Sequence, residues 1–241
     1  KKHGVLTLST QSPMVIFCDE ETHPWIAEMR AELAPGVDTR YVVKNISEYD
    51  VYIQTHAIIV ANRAKSPGYK SPDERNTASY FITTMFKFTA MLLAQQLYPR
   101  ASHYVWIDFG CGHMLREGDK YIPEIMAAPR PRVCAMYIHY RQTGALQDMS
   151  MYLLYMNPTS IAATLWSVEA SYISQLYTRA MSIFYEQLSR GCGHSEEGVF
   201  TYLYDRFPEM FTLFYGDYAS CAQNYHKIRA DQETVRTFFV D

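Results

Sequence analysis

The sequence lacks any block of like charge, and its overall charge is nearly balanced. Its 22 lysine and arginine residues stand against 25 aspartate and glutamate residues, a formal net charge of −3 at pH 7. Proteins that bind nucleic acids carry a basic patch or stripe, because phosphate contacts dominate their affinity. The composition shows no such footprint, and we expect no nucleic-acid partner.

Long apolar runs are also lacking. The longest, residues 149–156, is far shorter than the roughly 20 apolar residues that span a bilayer, and no secretory signal opens the chain. We therefore expect a soluble protein with no transmembrane segment, either by itself or as a domain of a longer polypeptide.

Cysteine is scarce and follows no metal-binding or disulfide pattern. The five cysteines are an odd number, and no two of them are separated by two residues: Cys18, Cys111, Cys134, Cys192 and Cys221. Zinc modules and disulfide frameworks use recurrent spacings. We expect free thiols in a reducing compartment, which indicates a cytoplasmic protein.

The first part of the chain predicts a β-α-β unit. An apolar run over residues 13–20 ends in Asp19 and Glu20, a helical pattern follows through Leu33, and Pro35-Gly36 ends it before a second strand at residues 39–43. Such a unit predicts a parallel sheet. We expect residues 1–241 to form a single α/β domain whose mixed, mostly parallel sheet is flanked by helices.

Further elements are predicted along the rest of the chain. The range 46–70 is mixed and includes a surface loop, and an apolar helix follows, with start signals at Ser71-Pro72-Asp73-Glu74 and an end near Leu97. The other expected elements are a helix at 119–126, strands at 133–139 and 161–166, helices at 168–189 and 198–206, a loop over 208–218 and a short strand after Asn224.

The chain is organised around Tyr104-Val105-Trp106-Ile107-Asp108-Phe109-Gly110-Cys111-Gly112-His113. Its first four residues have the composition of a strand buried on both faces, and the strand ends in an acid and two glycines. Ligands of open α/β sheets bind beyond the carboxyl ends of strands. Asp108 is therefore a candidate ligand-binding residue, although an acid there also serves as an N-cap or turn former.

Lys87 and the acidic pair Glu196-Glu197 are further candidates. Lys87 stands inside the apolar helix, where its ammonium either snorkels to the surface or points into a site that holds phosphate. The two glutamates open a helix, a position that the helix dipole favours without any functional role. The sequence leaves both alternatives open.

One interpretation of Asp108-Phe109-Gly110-Cys111-Gly112 is the glycine loop of an S-adenosylmethionine-dependent methyltransferase. Such a loop leads directly into a helix, whereas the residues from His113 to Gly118 show no helical pattern. A later strand ending in an acid for the ribose is also missing, since the strand at 133–139 ends in His139.

A second interpretation is a nucleotide-sugar transferase of the GT-A type. In these enzymes a strand-end acid, usually within Asp-x-Asp, helps to hold a divalent cation that compensates the charge of the departing nucleoside diphosphate. Asp108 suits that role, but Gly110 replaces the second acid, which puts dependence on Mn²⁺ or Mg²⁺ in doubt.

The chain resembles the HtrL/YibB family of glycosyltransferase-like proteins over residues 13–228. The resemblance is carried by the Phe86-Lys87-Phe88 helix, the Trp106-Ile107-Asp108-Phe109-Gly110 strand end, and downstream stretches at 161–166, 195–199, 208–211, 215–218 and 224–225. It implies a GT-A-like fold, a nucleotide-sugar donor and a glycan or glycoprotein acceptor.

The resemblance also implies roles for individual residues. Asp108, Gly110, His113, Lys87 and the first strand-end acid, Asp19, are expected at the donor.

The remaining expected residues concern the acceptor and the metal. Glu196 and Glu197 are expected below the acceptor, where a carboxylate acts as base or orients the hydroxyl, and His226 is expected as a late metal ligand beside Asp108. The first GT-A strand is expected within residues 4–9 in shortened form, or is absent from this piece.

A third class, a non-catalytic nucleotide- or sugar-binding domain, also fits the residues, because fold does not secure function. Substrate choice is expected to lie in loops at 53–70 and 144–158.

Overall fold

The fold is mixed α/β, with helices flanking two hydrogen-bonded sheets. The computed structural model describes residues 2–65, 77–113, 115, 118–138, 160–193, 195–215 and 225. Within these ranges one sheet has two strands and the other has four. The expected class is therefore confirmed at this level.

The predicted β-α-β unit is present. It consists of β1 (Met14–Cys18), α2 (His23–Leu33) and β2 (Thr39–Val43), and the two strands are parallel. A proline at the start of α2 suits the first helical turn, and Gly36 adopts φ 76 after its end.

Residues 4–9 do not form a shortened first strand, so the first of the two expected alternatives is wrong. A 3₁₀ turn at Lys2–Gly4 leads directly into the short helix α1 (Val5–Leu8). Leu8 is fully buried against the helical side of β1, so this segment covers the sheet instead of extending it.

Two helices link the sheets. The first, α3 (Asp50–Lys65), occupies most of the range 53–70 that we had assigned to a loop, so that expectation is wrong for residues 53–65. The second, α4 (Ala78–Leu97), ends where predicted, and Thr77 caps it by accepting a hydrogen bond from the Tyr80 amide. The predicted start at Ser71 lies outside the described residues.

The four-stranded sheet comprises β3 (His103–Ile107), β4 (Val133–Tyr137), β5 (Ile161–Glu169) and β6 (Phe211–Tyr215). Strand β5 runs antiparallel to both β3 and β4, and β4 runs parallel to β6. Three helices lie between the strands of this sheet in the chain order: α5 (Gly118–Ala127), α6 (Ile173–Ser189) and α7 (Glu196–Arg206).

Three predictions about this sheet were wrong. The helix expected from Val168 begins at Ile173, because β5 continues to Glu169. The range 208–218 is a 3₁₀ turn followed by β6 as far as Tyr215, not a loop throughout. Strand β3 is not buried on both faces, since Tyr104 is the one buried residue of the five in this strand.

Helix α4 forms the centre of the packing. The helix is apolar, as predicted, and its residues Phe81, Ile82, Met85 and Phe88 are at most 1% exposed in the main core. Within the described ranges, none of the helices has the length and apolarity that crossing a membrane requires. The fold thus presents α4, with Lys87 on it, to both sheets.

Candidate functional site

A cleft of about 1550 Å³ runs between β1 and β3 over helix α4. At the carboxyl ends of the two strands it is lined by four acids, which we call the acidic end: Asp19, Asp108, Glu196 and Glu197. The structure therefore brings together residues that are far apart in the chain.

Asp108 is fixed at the end of β3 by its backbone and by its neighbour on the strand. Its N–H donates to the Thr164 carbonyl at 2.9 Å, which continues the β3–β5 ladder by one residue. The Trp106 indole N–H donates to Asp108 Oδ1 at 2.6 Å. The side chain of Asp108 remains 33% exposed, so the carboxylate is held in place while still facing the cleft.

Lys87 does not reach the surface. It is 5% exposed, and its ammonium lies 2.8 Å from Asp108 Oδ1 and 2.5 Å from Glu196 Oε1. It also donates to the Ala163 carbonyl at 3.1 Å. An ammonium has three donors, and three protein groups receive them. Lys87 therefore bridges β3, β5 and α7 at one point.

Glu196 and Glu197 open helix α7, as predicted. Ser195 is the N-cap, and Glu196 is 4% exposed with its carboxylate turned toward Lys87. Glu197 is half-buried, lines the cleft and lies 3.5 Å from the Ala163 amide. The helix dipole favours both acids, but the burial of Glu196 beside Lys87 exceeds what capping requires.

The charges at this point do not cancel. One ammonium lies between two carboxylates, which leaves a surplus of one negative charge before Glu197 is counted. Desolvation opposes the charged form of Lys87, but the Glu196 and Asp108 carboxylates outweigh it and raise the pKa of the ammonium. Desolvation also raises the pKa of the Asp108 carboxyl, against the lowering effect of Lys87 and Trp106.

The glycine loop after Asp108 leads into a single 3₁₀ turn, Cys111–His113. His113 is exposed at the cleft and its ring contacts the Gly110 carbonyl. A Cβ on Gly110 would meet only the His113 ring, at 3.9 Å, so the space before it is open. By contrast, a Cβ on Gly112 would lie 2.8 Å from the His3 carbonyl oxygen, so this glycine permits packing of the amino-terminal segment.

Asp19 lies at the end of β1, in the same cleft as Asp108. Its Oδ1 accepts hydrogen bonds from the Thr22 amide at 2.8 Å and the Thr22 hydroxyl at 2.7 Å. The hydroxyl bond is the largest influence that lowers the pKa of the Asp19 carboxyl. Asp19 thus has a local role in the turn into α2 in addition to its place at the acidic end.

His226, the expected late metal ligand, lies outside the described residues. Among the residues that the structure does describe, no group of three or more His, Cys, Asp and Glu side chains is placed to hold a metal ion. Of the two carboxylates that contact the Lys87 ammonium, only that of Asp108 is partly exposed. A magnesium-like cation fits such a site when phosphate oxygens and water complete its shell.

Sequence reasoning missed several groups that shape the site. Trp106 lies two residues before Asp108 on the same strand face, so strand periodicity could have indicated it. The Thr7 hydroxyl, 101 residues earlier in the chain, donates to the Asp108 carbonyl at 3.1 Å, and no local signal marks that contact. Trp25 and Phe109 meet edge to face across the cleft, with ring centroids 5.7 Å apart.

No protein-family model matches the chain, and no curated protein gives a significant match.

Proposed function

We propose that the chain is a glycosyltransferase that moves a sugar from a nucleotide-sugar donor to a hydroxyl of a glycan acceptor. We further propose a GT-A-like fold and a relationship to the HtrL/YibB family. The observation that carries the proposal is the Lys87 ammonium, held between the strand-end Asp108 and the helix-start Glu196 at one end of a large cleft.

The reaction needs charge compensation at the donor and a proton acceptor at the acceptor sugar. The acceptor oxygen bonds to the anomeric carbon, the bond from that carbon to the diphosphate oxygen breaks, and a carboxylate takes the hydroxyl proton. Glu197, half-buried at the cleft, suits the role of base. Glu196 is committed to Lys87, so we assign it the role of positioning residue.

Lys87 contributes mainly by fixing geometry in this proposal. Its donors already meet Asp108, Glu196 and the Ala163 carbonyl, so it holds the two carboxylates at a set separation. Preorganised charge of this kind needs no rearrangement during the reaction, and for that reason it stabilises a transition state effectively.

A divalent cation at Asp108 belongs to the same proposal. Bound there, Mn²⁺ or Mg²⁺ would neutralise charge on the departing diphosphate. Asp108 would supply the protein ligand, and Gly110, with open space before it, would let the diphosphate approach the backbone. His113 would contact the donor from the following turn.

The S-adenosylmethionine alternative has less support from the geometry. In a methyltransferase the glycine loop leads into a helix, whereas here a 3₁₀ turn follows and α5 begins only at Gly118. A non-catalytic binding domain has the same cleft and differs from the transferase only in turnover. The experiment therefore has to measure both binding and turnover.

The first test is a thermal-shift panel of UDP, GDP, CMP and their sugars, with and without Mn²⁺, plus S-adenosylmethionine. A ligand at about a hundred times its dissociation constant stabilises the folded state by roughly 2.7 kcal/mol, which is readily detected. The donor found in this way is then assayed for sugar transfer to a glycan array.

Two variants make the transfer assay specific. Asp108→Asn should abolish transfer, whereas Asp50→Asn, which changes an exposed acid outside the cleft, should leave it intact. Unchanged transfer by Asp108→Asn contradicts the proposal. Binding without transfer to any acceptor indicates the binding domain, and a shift with S-adenosylmethionine alone indicates the methyltransferase.

A further inference from the structure

Two histidine rings meet where the amino-terminal segment lies against the turn after Asp108. His3 belongs to the 3₁₀ turn Lys2–Gly4, and His113 ends the 3₁₀ turn Cys111–His113. Their ring centroids lie 5.4 Å apart, and the ring planes are inclined by 74° to each other. Both residues are exposed, so an ion can reach the rings directly from solvent.

The backbone that carries the two rings is held in place by close packing. A Cβ on Gly112 would lie 2.8 Å from the His3 carbonyl oxygen, so the two turns are in direct contact. Further along the segment, the Thr7 hydroxyl donates to the Asp108 carbonyl at 3.1 Å and lies 3.3 Å from Cys111 Sγ. The position of one turn relative to the other is therefore set before any ligand binds.

The hydrogen bond of the His113 ring leaves its other nitrogen available as a ligand. His113 Nδ1 contacts the Gly110 carbonyl oxygen. A carbonyl oxygen only accepts, so Nδ1 carries the proton, and in the neutral ring Nε2 then carries a lone pair. Histidines that bind metals in proteins donate their other ring N–H to a carbonyl or carboxylate in the same way, which fixes the ring and raises its basicity. His113 therefore has the tautomer that binds a metal through Nε2.

The separation of the two rings suits one tetrahedral ion that binds both. For a Zn–N distance of about 2.0–2.1 Å and a tetrahedral N–Zn–N angle, two imidazoles bound through Nε2 have ring centroids about 5.2 Å apart. The observed separation is 5.4 Å. Because both residues are exposed, their rings can turn toward a common ion without displacing packed neighbours.

We propose that His3 and His113 together hold one divalent cation that prefers nitrogen ligands, such as Zn²⁺, with water completing its shell. Imidazole suits Zn²⁺, whereas Mg²⁺ and Mn²⁺ prefer oxygen ligands. Two protein ligands are consistent with the finding that no three His, Cys, Asp or Glu side chains are grouped for a metal in the described part of the chain.

The bound ion would fasten the amino-terminal segment to the turn that follows Asp108. Its ligands come from the first turn of the described chain and from the turn after β3, so each ion joins these two turns. This inference does not rest on the proposed function, because the ion differs in its ligands and in its chemical class from the cation proposed at Asp108.

The test titrates the whole chain, first stripped of metal by a chelator, with Zn²⁺ and follows the ring signals of His3 and His113 by NMR. Saturating Zn²⁺ should shift the signals of both rings together, with the same dissociation constant. Mg²⁺ at the same concentration should shift neither ring, because its preferred ligands are oxygens.

Matched variants test whether the two rings act on one ion. His3→Gln and His113→Gln each leave a single imidazole, and each should raise the dissociation constant read from the remaining ring by about tenfold or more. His56→Gln is the control, because it removes an imidazole that stacks on Tyr52 of α3, and it should leave the shifts of both rings unchanged.

Limited proteolysis with a serine protease tests the effect on the amino-terminal segment. Zn²⁺ should slow cleavage of this segment in the parent chain, because a ligand that binds only the closed arrangement stabilises it. In His113→Gln, Zn²⁺ should leave the cleavage rate unchanged.

The inference is overturned if saturating Zn²⁺ leaves the signals of both rings unmoved, an outcome that depends on no variant. It is also overturned if either glutamine substitution leaves the remaining ring with the affinity of the parent chain. Asp108→Asn supplies a further criterion: if it weakens the Zn²⁺ affinity as much as His113→Gln does, the ion lies at Asp108 and not between the two histidines.

Discussion

Lys87, with its buried ammonium, is the residue on which the site depends most. Replacing it with methionine leaves two carboxylates facing each other without a cation. Breaking a buried ion pair costs about 3–5 kcal/mol, and we expect the lower end, about 3 kcal/mol, because a third of the Asp108 side chain reaches solvent and is screened. Urea unfolding of Lys87→Met measures the loss.

A matched control for this variant is Lys65→Met, which removes an exposed lysine at the end of α3. Surface substitutions of this kind change stability by about 0.5 kcal/mol or less. Equal unfolding free energies for Lys87→Met and Lys65→Met would show that the cluster does not stabilise the fold.

Trp106 is expected to contribute to the acidity of Asp108, after burial and the Lys87 ammonium. Its indole N–H donates to the ionised carboxylate and lowers the pKa of Asp108, so Trp106→Phe should raise that pKa further. A hydrogen bond to a charged group is worth about 1.5–3 kcal/mol, and its loss disfavours the ionised form of the carboxyl. Carbon-detected NMR titration of the Asp108 carboxyl reports the change.

The control for that titration is Trp166→Phe. Within the described part of the chain the Trp166 indole N–H has no hydrogen-bond partner, so its removal should not move the pKa of Asp108. A shift of the same size in both variants would trace the effect to packing rather than to the Trp106 hydrogen bond.

Two elements, α6 and α7, are joined by an ion pair with a defined pH dependence. Glu186 on α6 accepts from Arg206 on α7 at 2.7 Å, and this bond is the main cause that lowers the pKa of the Glu186 carboxyl below its ordinary value of 4.5. A lowered folded-state pKa means that the stabilisation is present above pH 4.5 and is lost as pH falls through the folded value.

Glu186→Gln should therefore destabilise the chain at neutral pH and make no difference once Glu186 is protonated. Chemical unfolding of both proteins between neutral and acidic pH tests this, and the two curves should converge as pH falls. If the two unfolding free energies differ by the same amount at every pH, the ion pair between Glu186 and Arg206 does not cause the difference.

The attachment of the amino-terminal segment to α2 depends on Arg30. This residue is 1% exposed, and its guanidinium donates to the Leu8 and Thr10 carbonyls at 2.6 Å each and to the Ser12 carbonyl at 3.1 Å. Arg30→Met leaves these acceptors without a donor and should cost about 3 kcal/mol. Limited proteolysis should then cut the segment faster.

Arg100→Met is a suitable comparison, because Arg100 is exposed. Its proteolysis pattern should match that of the parent chain. If Arg30→Met were cut no faster than Arg100→Met, the three carbonyl contacts would have no role in holding the segment.

For the whole molecule, the separation of the apolar clusters predicts unequal local stability. Leu8, Ile16 and Ile26 form a small cluster of their own, apart from the large core around α4. Few buried contacts mean a lower free energy of opening. In native-state hydrogen exchange, the free energy of opening measured at the Ile16 amide should be lower than that measured at the Ala135 amide. Equal opening energies would indicate one cooperative unit.

The sequence predicted what depends on neighbours in the chain. Strand β2 was predicted with its observed bounds, and Lys87, Asp108 and Glu196 were all singled out, because strand ends, helix starts and a charged residue in an apolar helix leave local signals. The alternative that Lys87 snorkels to the surface was excluded only by the structure.

What the sequence could not indicate depends on distant packing. The assignment of 53–65 to a loop was wrong because α3 has no strong amphipathic pattern and packs through only a few buried residues, such as Val51 and Ile59. The alternative of a shortened strand at 4–9 was likewise wrong, since Leu8 packs against residues of β1 and α2 and lies in a short helix. The joining of Lys87 to Glu196 has no local signal at all.

The parallel pairing of β1 and β2 through a single helix has a consequence for the order of folding. Contacts between segments that are close in the chain form at a small entropic cost, whereas β3 pairs with β5, and β4 with β6, only after long loops have closed. The β1–α2–β2 unit should therefore assemble early, before β3 has paired with β5. Early assembly leaves the outer side of β1 exposed while the rest of the chain is still being ordered, and this edge is where misassociation between partly folded copies would begin.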